Sequence, residues 1–167
     1  MKRSTKKIVY AAVIAALYVV FTEISSLMGL ASFPIQLRLS EALTILPLFT
    51  PSAVGGLFIG CLISNLLTGC HILDVIFGSI ATLIGAFLCL VISKHVKKER
   101  LRMIFGPLPA ILSNVAVIPF ILSYVYGFEG SLFFFMITVF AGEVLSAGVL
   151  GILLYKLLKK YEGQIFK

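Results

Sequence analysis

"ILDVIFGSIATLIGAFLCLVISKHVKKERLR" occupies Ile72 to Arg102. From Ile72 to Ser93 it is apolar for at least the roughly 20 residues that a bilayer-crossing helix needs. Lys94, Lys97, Lys98, Arg100 and Arg102 then crowd together at once. A long apolar run closed by a basic cluster is the pattern of a span that ends on the cytoplasmic side.

The rest of the chain repeats that grammar. Of 14 Lys and Arg, two further groups account for nearly all the others: Lys2, Arg3, Lys6, Lys7, and Lys156, Lys159, Lys160, Lys167. The 167 residues are 60% apolar and 13% charged, with a mean hydropathy of +1.10. A soluble domain is about a quarter charged, so the composition selects a membrane protein. The net charge of +7 lies in loops that flank apolar segments, without the basic face and stacking aromatics of a nucleic-acid binder.

Reading outward from the quoted stretch predicts an all-α polytopic protein, one integral membrane domain over residues 1–167. Six spans are expected at about 8–30, 36–49, 52–68, 72–93, 103–124 and 131–158. The first resembles a signal peptide, but its length and Glu23 favour a retained helix. The second is short, limited by Pro47 and ended by Thr50-Pro51, with Ser40 a candidate N-cap. Six crossings put both termini and the 94–102 loop in the cytoplasm, so all three basic groups share one side. Arg38 is then the single basic residue outside.

Four acidic residues lie within or at the ends of spans: Glu23, Glu41, Asp74 and Glu143. Ionisable groups in lipid are costly and face a partner or a cavity. With Asn65 and Asn114 they mark a polar cavity that opens outward and reaches towards mid-membrane. The simpler alternative is that they bind helix to helix, and Arg38 and Glu41, three apart, can pair with each other.

No nucleotide-cradling, zinc-protease or serine-hydrolase motif is present. No catalytic residue, resident cofactor or metal site is predicted. Cys61, Cys70 and Cys89 show no CxxC spacing, and Cys70, His71 and Asp74 are only a loose trio. In "YAAVIAALYV" (Tyr10–Val19), Ala11 with Ala15 and Ala12 with Ala16 stand at i, i+4. Small residues at that spacing let another helix approach closely.

These features resemble the substrate-binding S component of an energy-coupling factor (ECF) transporter. More specifically, "IQLRLSEALTILPLFTPSAVGGLFIGCLISNLL" followed by "DVIFGSIATLIGA" resembles the QueT family, assigned to queuosine precursors. The resemblance implies a substrate-binding subunit in the cell membrane of a bacterium. It implies docking through Ala11, Ala12, Ala15 and Ala16 on a membrane T component, with ATP used by two cytosolic ATPases and not by this chain. The implied ligand is a deazaguanine base such as queuine or its aminomethyl precursor. A carboxylate (Glu41, Asp74 or Glu143) would accept the N–H groups of its guanine-like edge, and Arg38, Gln36 or Asn114 would meet its carbonyl. A second carboxylate would hold an amine, His71 would contact the ligand, and Tyr124, Tyr126 or Phe128 would stack on the base. The alternatives are an S component for thiamine or riboflavin, an intramembrane enzyme using the same carboxylates, or a structural protein.

Overall fold

Polarity in this protein is inside out. Ile, Leu and Phe side chains such as Phe87, Leu112, Phe133 and Phe140 are exposed along the helices. Thr22, Ser25, Ser40, Glu41, Asn65, Thr82, Asn114 and Glu143 are buried. Lipid is the solvent that accepts such a surface, and a bilayer demands that the backbone satisfy its own hydrogen bonds. The computed structural model describes residues 3–30 and 37–166, and among these there is helix and no strand. The chain is an all-α membrane protein.

In chain order the helices are α1 (Arg3–Leu27), a 3-10 helix (Leu39–Leu48), α2 (Ser52–Leu67), α3 (Ile72–His95), α4 (Glu99–Phe105) and α5 (Leu108–Phe120). After a π turn (Ile121–Val125) come α6 (Leu132–Glu143), a second π turn (Val144–Leu150) and α7 (Gly151–Ile165). Four stretches are long and apolar enough to cross a membrane alone: Ser4–Leu27, Ile72–His95, Glu99–Val125 and Leu132–Ile165. The expected second and third spans correspond to shorter helices, Leu39–Leu48 and Ser52–Leu67.

The 3-10 helix differs most from expectation. Every residue from Ser40 to Leu48 is buried, so it is a rod inside the bundle and not a lipid-facing helix. Its turns are tight: the Glu41 amide donates to the Arg38 carbonyl at 3.0 Å, and the Thr44 hydroxyl to the Glu41 carbonyl at 2.6 Å. Such helices seldom run beyond a turn or so, and Pro47 removes one donor from this one. Neighbours hold it instead. From α1, Ser25 Oγ accepts from the Leu39 amide at 2.9 Å, the Thr22 hydroxyl donates to Ser40 Oγ at 2.8 Å, and the Tyr18 hydroxyl donates to Glu41 Oε1 at 2.5 Å. Ser40 is therefore not the N-cap. That position is Arg38, which caps with no side-chain hydrogen bond.

α1 and α2 meet through small residues. A Cβ on Gly56 would stand 2.6 Å from the Ala11 carbonyl, and one on Gly60 would stand 2.7 Å from Tyr18 Cβ and 3.0 Å from the Ala15 carbonyl. A core of Tyr18, Leu43, Leu46, Leu57, Cys61 and Ala86 joins α1, the 3-10 helix, α2 and α3. Ala110, Ile111 and Ala147 join α5 to the second π turn, and Leu122, Phe135 and Val139 join the first π turn to α6.

The basic groups gather at one end of the bundle. The Tyr10 hydroxyl of α1 donates to the Ile165 carbonyl of α7 at 2.7 Å. Arg102 of α4 donates to the Ser93 carbonyl near the end of α3. The expected fifth span begins inside α4, which Gly106 and Pro107 separate from α5.

Candidate functional site

A buried polar cavity sits where the 3-10 helix faces α3, α5 and α6. Each contributes a pair of residues one turn apart: Arg38 and Glu41, Gly78 and Thr82, Asn114 and Ile118, Val139 and Glu143. The free space inside measures about 20 Å³, about what a single water needs. Small-molecule pockets begin at about 300 Å³, so a ligand of that size enters only as the walls move apart.

Local structure explains the aim of each pair. Side chains three apart on a 3-10 turn eclipse one another, so Arg38 and Glu41 point to the same space. On α3, α5 and α6 the pairs are four apart and share a helix face. Gly78 leaves room on its wall: a Cβ would lie 3.2 Å from Asp74 Oδ1 and 3.3 Å from Asn65 Nδ2.

Arg38 and Glu41 do not pair. The guanidinium donates through Nη2 to Asn65 Oδ1 at 2.7 Å, and the one ion pair among the described residues is Lys159 with Glu162. Glu41 is 1% exposed; Tyr18 holds its Oε1, while Oε2 is buried without a partner among the described residues. Glu143 repeats the arrangement. Asn114 Nδ2 donates to its Oε1 at 2.8 Å, and its Oε2 is buried and unpartnered. Two free carboxylate oxygens and a guanidinium therefore border one enclosure, which can meet a ligand with several N–H donors and a carbonyl.

Asp74 and His71 stand beside the cavity and do not line it. Tyr126 joins them, accepting from the His71 amide at 3.0 Å and donating to Asp74 Oδ2 at 3.0 Å. Partial burial raises the Tyr126 hydroxyl above its ordinary range, so it remains a donor at physiological pH. The His71 ring caps α3 by accepting from the Leu73 amide at 3.2 Å. Cys70, His71 and Asp74 do not converge as a metal-holding group among the described residues.

The aromatic expectation needs correction. Tyr124 is 77% exposed and stacks on Phe120, because the π turn after Pro119 carries it outward. Tyr126 stacks on Phe128. The apolar walls of the cavity are instead Ile118 and Val139. The alanine stripe also divides: Ala11 and Ala15 are spent against Gly56 and Gly60 of α2, while Ala12 and Ala16 face outward. Gln36 lies outside the described residues. Glu23 stands apart from the cavity, half-buried, with Oε1 unpartnered among the described residues.

Sequence reasoning missed Tyr18 and Thr82; Asn65 does not line the cavity but accepts from Arg38, the helix contact that the simpler alternative allowed. The missed signal was periodicity. Ala11, Ala15, Tyr18, Thr22 and Ser25 recur at alternating spacings of four and three, which marks one helix face.

Fold and cavity together define a polytopic helical membrane protein with a small buried cavity lined by polar side chains. The chain belongs to the QueT transporter family, whose model matches residues 8–160. It is 37% identical over 100 residues to the queuosine precursor transporter QueT of Lactococcus lactis subsp. cremoris (strain MG1363). That match spans 59% of this chain and 59% of the relative's length. No solved structure matches the chain.

Proposed function

We propose that this protein is the substrate-binding membrane subunit of an ECF-type importer and takes up a queuosine precursor, a deazaguanine base. The observation that carries the reading is the set of polar groups around one buried cavity: Glu41 Oε2 and Glu143 Oε2, unpartnered among the described residues, and the Arg38 guanidinium, held by Asn65. A guanine-like edge offers adjacent N–H donors beside a carbonyl. Glu41 accepts the donors and Arg38 meets the carbonyl, both from one turn of the 3-10 helix. Family membership and the relative's name support the same ligand class.

In this reading the basic end of the bundle faces the cytoplasm. The T component meets the outward face of α1 carrying Ala12 and Ala16, and ATP is used by two cytosolic ATPases. The test uses purified protein in detergent. Mass spectrometry identifies the molecule it carries, and titration compares deazaguanine bases with thiamine and riboflavin. The expected result is selective binding of a deazaguanine, weakened at least about tenfold in each of Arg38→Ala and Glu41→Ala. Binding of thiamine or riboflavin in its place, or deazaguanine binding indifferent to both substitutions, overturns the reading.

A further inference from the structure

We infer that Asn65 is a positioning residue for the ligand: it holds the Arg38 guanidinium off Glu41 and so keeps both groups open to bind. This rests on the function proposed above and deepens it. Arg38 and Glu41 are joined by one 3-10 turn and line one cavity, a spacing that eclipses their side chains. A buried guanidinium stays charged and must find acceptors. Glu41 Oε2, buried and unpartnered among the described residues, lies on the same face. Self-pairing is the simplest way to satisfy both groups. It does not occur: no ion pair joins them among the described residues.

Two hydrogen bonds from neighbouring helices keep them apart. Tyr18 of α1 holds Glu41 Oε1 at 2.5 Å. Asn65 of α2, wholly buried, accepts from Arg38 Nη2 at 2.7 Å. The amide cannot turn over without loss, because a guanidinium has only donors and must meet Oδ1. Its Nδ2 faces Cys61 Sγ at 3.6 Å, a sulfur that also accepts from the Thr82 hydroxyl at 3.4 Å. Gly78 makes room for it: a Cβ there would come within 3.3 Å of Nδ2. The bond to Asn65 uses one of the five N–H groups of Arg38 and leaves others for a ligand carbonyl. Asn65 does not itself line the cavity, so it acts on the ligand through Arg38. Without its oxygen the guanidinium turns to Glu41 Oε2. That pair withdraws together the acceptor and the donor that a guanine-like edge requires.

The experiment titrates the purified full-length chain in detergent with queuine and with its aminomethyl precursor, by calorimetry, and records the melting temperature of each variant. Asn65→Leu removes the acceptor at similar volume. Affinity is expected to fall at least about tenfold while the melting temperature holds, since a new Arg38–Glu41 pair takes the place of the lost hydrogen bond. Adding Asn65→Leu to Arg38→Ala is expected to weaken binding no further, within about twofold, because the effect passes through Arg38. Full affinity in Asn65→Leu overturns the inference and leaves the proposed function standing, and so do losses that multiply in the double variant. A melting temperature that falls with the affinity also overturns it, since Arg38 is then left unpartnered and not paired with Glu41. Asn65→Ala carries the same comparisons if Asn65→Leu does not fold; failure of both to fold makes Asn65 a structural residue and overturns the inference too. Failure of both bases to bind the unsubstituted protein removes the proposed function and the inference together.

Discussion

Tyr18 shows how much one hydroxyl can govern. It is wholly buried and fixes Glu41 by donating to Oε1 at 2.5 Å. Tyr18→Phe keeps the ring and its packing but strands a second oxygen of a buried carboxylate. Hydrogen bonds between membrane helices average about 0.6 kcal/mol. This one ends on a carboxylate, so its loss belongs in the range of about 1–3 kcal/mol. Thermal melting in detergent should show that loss, and ligand affinity should fall as Glu41 loses its orientation. An unchanged melting temperature and affinity would mean that packing alone positions Glu41. Arg38, Glu41, Asn114 and Glu143 are legible in the sequence because charged and amide groups are outliers in apolar runs. Tyr18 and Thr82 are not, because either residue is ordinary in an apolar helix. Their roles depend on which helix lies opposite, and one-dimensional spacing does not contain that. The same limit hid that Arg38 turns to Asn65, 27 positions on, and not to Glu41.

At the scale of elements, the α1–α2 contact positions the cavity from behind. Tyr18 and Ala15 stand against Gly60, where a Cβ would meet Tyr18 Cβ at 2.7 Å. Gly60→Ala therefore pushes α1 away from α2 and moves the residue that orients Glu41. Overpacking of this kind costs about 1–3 kcal/mol. Both melting temperature and ligand affinity should drop, whereas Gly55→Ala, with nothing within 4 Å of its Cβ, should leave both unchanged or melt slightly higher. Equal behaviour of the two variants would show that the helices separate without consequence for the site. Apolar length located the helices well, since α1, α3 and the α6–α7 stretch are long hydrophobic runs. Winding was not legible. The 3-10 rod and the two π turns follow from tertiary constraints: hydrogen bonds from α1 to Leu39, Ser40 and Glu41, and the changed path after Pro119 and Glu143. The alanine stripe was visible as a close-packing surface, but periodicity could not tell that one half of it meets α2.

For the whole molecule the open question of direction has a physical answer. Lys6 and Lys7 begin α1, Lys94 ends α3, and Lys156, Lys159 and Lys160 lie on α7. The Tyr10–Ile165 and Arg102–Ser93 hydrogen bonds bring these termini to one end. The opposite end carries the turns at Gly69 and at Gly127 to Gly130, both with positive φ glycines, and no Lys or Arg in either turn. Each basic residue held near an anionic cytoplasmic leaflet gains about 1 kcal/mol, and short basic loops resist translocation. Orientation is therefore strongly biased even where no single residue decides it. In a background with Cys61, Cys70 and Cys89 replaced by Ser or Ala, Glu129→Cys should react with a membrane-impermeant maleimide in intact cells. Lys97→Cys should react only after the membrane is opened. Labelling of both in intact cells, or the reverse order, would remove the proposed outward-facing orientation of the cavity and with it the proposed direction of uptake. The expected order places the amide and carboxylate cluster on the outer side, where the proposed uptake would begin, and the basic end on the cytoplasmic side.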